Sequence, residues 1–412
     1  MSNPTQPVNT IVAETGATTG GARLSGIDAL RAVAMLLGIL FHSLIAYRVN
    51  PLPTWPYDDQ FHHWSFDFVY LFIHSFRMPL FFLIGGYFCR LLLYKTGERA
   101  FINHRIKRIL VPFVVSLVLI LPFTLFPFLV FKYSQGNQGD WNNSLQLAWR
   151  QLFHWNGMAH LWFLYYLIIY YVLAIGGARL NRTVFAGSFI KRIAGFMRHH
   201  TVMTVIAILA VWLLLLWSPE LYLHVATGIL PAPVFLVFYA VFFGIGWLLQ
   251  KMPEPFSVFV KYMNGFLLTG ICLAILLFVL EYGGYLHQTE ILGWVKGIAA
   301  IQIVFMVYGV IGFFLKYFAS AGEKWRYISD ASYWMYLVHL GLIAGLQVLF
   351  IYLGVIPVLR FPLVLIITVL ASLFSYQFFV RHSILGEYLH GKRSRKSSKI
   401  VPEVGTGRLK RG

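Results

Sequence analysis

Ten runs of mostly apolar residues, each near the ~20 residues that a bilayer-spanning helix needs, dominate this chain. They fall at about 27–46, 66–93, 110–131, 161–178, 202–217, 232–250, 265–281, 297–315, 332–351 and 362–380. The run at 66–93 is long enough to tilt or to extend past the bilayer, and the run at 202–217 is the shortest. Such a pattern predicts an all-α, polytopic membrane helix bundle of about ten transmembrane helices. Composition agrees: 58% of the 412 residues are hydrophobic and 12% are charged, against about 25% charged in soluble domains. A soluble enzyme is excluded, because so apolar a surface needs lipid.

The formal charge of +18 could point to nucleic acid, but its distribution points to a membrane. Basic residues gather in alternate loops. Loop 94–109 has Lys95, Arg99, Arg105, Lys107 and Arg108, and loop 179–201 has Arg179, Arg182, Lys191, Arg192 and Arg198. Loop 316–331 adds Lys316, Lys324 and Arg326, whereas loops 47–65, 132–160 and 218–231 are nearly free of cations. The positive-inside rule then places both termini in the cytoplasm of a bacterial inner-membrane protein, with the basic loops beside anionic lipid. The lipid bilayer is the expected partner, and no nucleic acid.

Residues 1–23 are polar and lack the apolar core of a signal peptide, which predicts a disordered cytoplasmic lead-in. Residues 24–390 form one membrane domain, and 391–412 a basic cytoplasmic tail. Cys89 and Cys272 both lie in apolar runs and imply no disulfide framework. No metal-ligand spacing and no Gly-rich phosphate loop occur, so no metal is expected. With no separate soluble domain, a binding site has to be built between helices.

Ionisable residues within spans are costly and mark function. The first span carries Asp28 and Arg31, three apart on one face, and His42 fourteen residues on. A helix-end ion pair with a packed histidine explains this about as well as a site does. The second span reads His74-Ser75-Phe76-Arg77-Met78-Pro79, then Gly85-Gly86-Tyr87. A guanidinium that stays charged, an imidazole and a helix break within six residues favour function over packing. His160 and Trp162 open the fourth span on the outer side, and His339 lies deeper in the ninth. Each alone is more often a packed or interfacial residue. Arg105 and Arg108 serve positive-inside anchoring, or grip a phosphate at the cytoplasmic mouth.

Several of these segments together resemble membrane acyltransferase family 3. The matching pieces are Asp28-x-x-Arg31 leading to His42, Phe81-Phe82-Leu-Ile-Gly-Gly-Tyr87-Phe, Arg105-x-x-Arg108-x-x-x-Pro112, His160-Leu-Trp162-Phe-Leu and Tyr336-Leu-Val-His339. They occur in the family's order and cover nearly the whole membrane core. Gly85-Gly86-Tyr87 stands where many members have Ser-Gly-Tyr, which loses a hydroxyl but keeps the close approach. The resemblance implies transfer of an acyl group from a cytoplasmic acyl-CoA to a hydroxyl of an extracytoplasmic or lipid-linked glycan, with His42 catalytic. The stretch Phe72-Ile-His74-Ser-Phe-Arg77-Met-Pro-Leu-Phe-Phe is most similar to a branch that succinylates osmoregulated periplasmic glucans. Succinyl-CoA is then the expected donor and a periplasmic glucan the acceptor, with no permanently bound cofactor.

On this expectation Arg105 and Arg108 hold the coenzyme's phosphates, and the pantetheine arm threads between helices towards His42. His42 acts as general base, suited by the near-neutral pKa of imidazole. Arg77 stabilises the thioester oxyanion or holds a succinyl carboxylate. His74 orients His42 or binds sugar. His160 and Trp162, with Trp55 and Trp64, line the glycan entrance; His339 joins them in binding substrate. Asp28 and Arg31 order the cytoplasmic entrance. Rival readings are O-acetylation of another surface glycan, a secondary transporter, and a non-catalytic partner in envelope glycan assembly.

Overall fold

The computed structural model describes residues 25–136, 140–154, 157–180, 199–223, 227–285, 289–320 and 322–390. The expected lead-in at 1–23, the tail at 391–412 and most of the basic loop 179–201 lie outside them. Among the described residues the chain is helical throughout, with no strand. Among the described residues eight helices are long and apolar enough to cross a membrane, and two shorter apolar helices accompany them. Each of the ten apolar runs has its helix.

These begin with α1 (Ser25–Leu44), α2 (Trp64–Thr96), a short α3 (Glu98–Arg105) and α4 (Val111–Gly136). Next come α5 (Trp141–Gln151), α6 (Trp162–Leu180), α7 (His200–Leu215) and α8 (Pro233–Leu249). The rest are α9 (Ser257–Lys261), α10 (Met263–Tyr282), α11 (Thr289–Tyr317), α12 (Glu323–Tyr352), α13 (Pro357–Ser375) and α14 (Ile384–His390).

Helices α3 and α5 occupy stretches that apolar runs alone mark as loops. Both are too polar to span, and Asp140 caps α5 by accepting from the Asn143 N–H at 3.1 Å. Between α3 and α4, residues Ile106–Leu110 form a π turn. Pro112 is its cause. It has no N–H to give to the Arg108 carbonyl, and its ring crowds that carbonyl, so the turn widens and Val111 bonds Ile106 instead.

Helix α1 is the axis of the bundle, packed by α2, α11, α12 and α13. Helices α2 and α8 touch backbone to backbone, because a Cβ at Gly86 would overlap the Phe243 carbonyl and one at Gly246 the Leu83 carbonyl. The connection 48–63 folds back on the bundle. The Asp58 N–H bonds the Ala46 carbonyl at 2.9 Å, and that of His63 bonds Tyr47 at 3.1 Å. Two ion pairs pin it, Arg48 with Asp67 at 2.9 Å and Arg360 with Asp58 at 2.8 Å. Both partners of the second pair are buried, and Arg360 also bonds Gln60 and the Val355 carbonyl.

Candidate active site

Helix α1 rises about 25 Å from Ser25 to His42, and α12 about 24 Å from Glu323 to His339. Two imidazoles thus reach the same level from neighbouring helices. Their ring centroids are 5.2 Å apart. His160 joins from the 3₁₀ turn before α6, with its centroid 5.4 Å from that of His339.

The protein fixes two of the three tautomers. A carbonyl only accepts, so the His339 Nδ1–H donates, 2.8 Å from the Tyr336 oxygen and 3.1 Å from that of Met335. His160 donates from Nε2 to the Leu337 carbonyl at 3.0 Å, and the Tyr336 hydroxyl donates to the His160 carbonyl at 2.6 Å. That leaves lone pairs on His339 Nε2 and on His160 Nδ1, the latter buried without a partner. His42 differs: its Nδ1 is buried and makes no hydrogen bond, and its side chain stays partly accessible. It is held by packing. Trp55 stacks on it with centroids 5.5 Å apart and planes 6° apart. The Trp55 indole N–H donates to Gln347 at 3.0 Å, and Gln347 donates to the Ser43 carbonyl at 3.0 Å.

Arg77 comes from α2 and is 8% exposed. Its guanidinium lies over the Phe41 ring at 4.6 Å. A Cβ at Gly38 would sit 2.8 Å from Nη1, so the guanidinium occupies the space that glycine leaves, one turn inward of His42. No carboxylate among the described residues pairs with it, and its Nε is buried without a hydrogen bond. Stacking on Phe41 offsets at most ~2 kcal/mol of the cost of burying that charge. A buried, unneutralised guanidinium is a site for an anion or a developing negative charge.

His74, on α2, shares the Phe41 ring with His42. It stacks on Phe41 (centroids 5.8 Å) and Tyr70 (5.6 Å), and its Nε2–H donates to the Leu223 carbonyl at 3.2 Å. Among the described residues no hydrogen bond joins His74 to His42, although the two are within electrostatic reach. Trp162 turns away from His160 and packs on Tyr239, Tyr166 and Phe82. Trp64 is exposed, and its ring lies against His63 and Phe278 and not against His42, His160 or His339.

The opposite end of the bundle holds a second cluster. Asp28 is buried, accepts from the Ser329 hydroxyl at 3.3 Å and pairs with Arg31 at 4.0 Å. Arg108, on the π turn, has its pKa held below the ordinary guanidinium value, by burial first and then by the charges of Arg105 and Arg31. Arg105 lies over the Tyr171 ring at 4.6 Å. Burial, Arg105 and Arg108 together push His104 down to about 4. Three guanidinium groups with one buried carboxylate make this end a place for anions.

Two features escape a sequence reading. Gln347 links Trp55 to α1 across some 300 residues of sequence, with no local signal. Ala159 has a φ of 45°, a left-handed conformation unusual for alanine, directly before His160. That strained residue turns the chain so that His160 enters the cluster.

Comparison with known proteins settles the family. The acyltransferase-domain family matches residues 24–377, nearly the whole membrane core. This chain belongs to it. The acyltransferase is also 27% identical over 329 residues to the glucans biosynthesis protein C of Salmonella paratyphi B, Salmonella dublin and Salmonella enteritidis. Each comparison covers 76% of this chain and 80% of the relative. No solved structure matches the acyltransferase. Membership of the family favours an enzyme over the transporter and assembly-partner readings.

Proposed function

We propose that this inner-membrane protein transfers a succinyl group from a cytoplasmic succinyl-CoA to hydroxyls of osmoregulated periplasmic glucans. One observation carries the reading: His42, with lone-pair-bearing histidines beside it, stands one helical turn from a buried guanidinium that no carboxylate neutralises. The coenzyme's phosphates rest among Arg31, Arg105 and Arg108. The thioester reaches the level of Arg77 and His42. A glucose hydroxyl, entering from the outer side past Trp55, gives its proton to His42 as its oxygen attacks the thioester carbon. The carbonyl oxygen takes up negative charge and Arg77 stabilises it. The C–S bond then breaks, the ester forms, and coenzyme A leaves as its thiol with the proton from His42. His339 and His160 orient His42 and the acceptor. Both termini lie in the cytoplasm on this reading.

The glucan acceptor is supported by the relatives' name, and the succinyl group by the resemblance of the Phe72–Phe82 stretch. Mass spectrometry of periplasmic glucans from deletion and wild-type cells tests both. Loss of the succinyl increment is expected. Loss of an acetyl increment, or of acylation on a different surface glycan, would replace succinyl or glucan by the nearest alternative.

A further inference from the structure

Between the cytoplasmic guanidinium groups and His42 stands a line of tyrosines that the mechanism above does not use. Arg105 covers Tyr171 of α6. Tyr171 is within electrostatic reach of Tyr333 on α12. The Tyr333 and Tyr336 centroids are 6.4 Å apart, those of Tyr336 and His339 6.2 Å, and those of His339 and His42 5.2 Å. By helix rise Tyr333 lies about 15 Å from the start of α12 and Tyr171 about 14 Å from the end of α6, so the two are level. Rings and hydroxyls therefore connect one cluster to the other.

Along this line the hydroxyls differ. Tyr336 is satisfied by the His160 carbonyl. The Tyr333 hydroxyl is buried and makes no hydrogen bond, although its ring is partly accessible. Tyr166 also has an unbonded hydroxyl, but it packs with Trp162 and Tyr239, off this line. An unbonded buried hydroxyl weakens the free protein, and a ligand that bonds it gains. A thioester carried from Arg31 to His42 must cover roughly 16 Å along α1. Pantetheine is a chain of that order of length, and its amides lose their water on entering such a passage and need partners there.

We propose that Tyr333 binds the pantetheine arm of the acyl donor, its hydroxyl donating a hydrogen bond to an amide carbonyl of that arm. The inference rests on the acyl-CoA reading above. Tyr333→Phe removes the oxygen and keeps the ring. Affinity is measured for coenzyme A and for its nucleotide half, which lacks the arm. The variant should bind coenzyme A about tenfold more weakly and the nucleotide half as tightly as wild type. KM for the acyl-CoA should rise by the same factor, with a smaller change in kcat. The ligand-free variant should melt no lower than wild type, because the deleted hydroxyl has no bond to lose. Unchanged affinity for coenzyme A in a wild-type-like variant would overturn the role of Tyr333 alone. A lower melting temperature with unchanged affinity would make Tyr333 structural and overturn the inference too. A wild-type protein that binds neither coenzyme A nor its nucleotide half would remove the donor reading, and this inference with it.

Discussion

His42 and His74 sit at one level of the membrane, on adjacent helices and against the same phenylalanine, yet their surroundings differ. The Phe41 ring is 4.9 Å from His42 and 5.8 Å from His74. His42 keeps an unbonded nitrogen and partial access, with two histidines and an indole around it. His74 gives its Nε2–H to Leu223 in a pocket lined by Ser75, Tyr222 and Tyr239. There Gln302 donates to Ser75 at 3.0 Å and accepts from Tyr222 at 3.3 Å. One imidazole keeps an unbonded nitrogen, and the other gives a ring N–H to a backbone carbonyl. Burial within a membrane therefore does not by itself mark a catalytic histidine. On the reaction proposed above, spare hydrogen-bonding capacity beside an unneutralised charge is what sets His42 apart.

Substitutions can break that comparison. His42→Ala should lower acyl transfer by about 10³-fold with protein level unchanged, as expected for loss of a general base. Transfer near wild-type rate would remove His42 from the mechanism. Arg77→Lys keeps a charge but loses the planar fork, and kcat should fall about 10²-fold. Gly38→Ala tests the same guanidinium without touching it. Its new methyl group would meet Nη1, the movable end of Arg77, so activity should drop about tenfold while thermal stability barely changes. A large loss of stability with full residual activity per folded molecule would refute that placement. His74→Gln offers an amide N–H to the Leu223 carbonyl, and activity should change less than about threefold. A loss as deep as that of His42→Ala would restore His74 to the chemistry.

The fold was largely legible because lipid imposes one rule, about twenty apolar residues per helix, and each run became a helix. Helices α3 and α5 were not legible in this way, since neither carries such a run. Within the spans, Arg77 and His42 stood out as candidates, because charge and imidazole there are costly wherever the chain goes. Sequence alone could not separate His42 from His74, since their difference lies in Leu223, His339 and Trp55, contributed by distant segments. Nor could it find Gln347. Trp162, two residues from His160 in sequence, packs on another face. The π turn had a visible cause, Pro112 four residues after Arg108.

On the proposed reaction an acyl group crosses the bilayer inside this bundle, from Arg31, Arg105 and Arg108 at one end to a hydroxyl at His42. Purified protein in sealed vesicles, with acyl-CoA and glucan confined to opposite sides, tests it directly. Acylated glucan should form when the donor faces Arg31, Arg105 and Arg108, and not when donor and acceptor are exchanged. Equal product from both arrangements, or product from the His42→Ala protein at the wild-type rate, would contradict it.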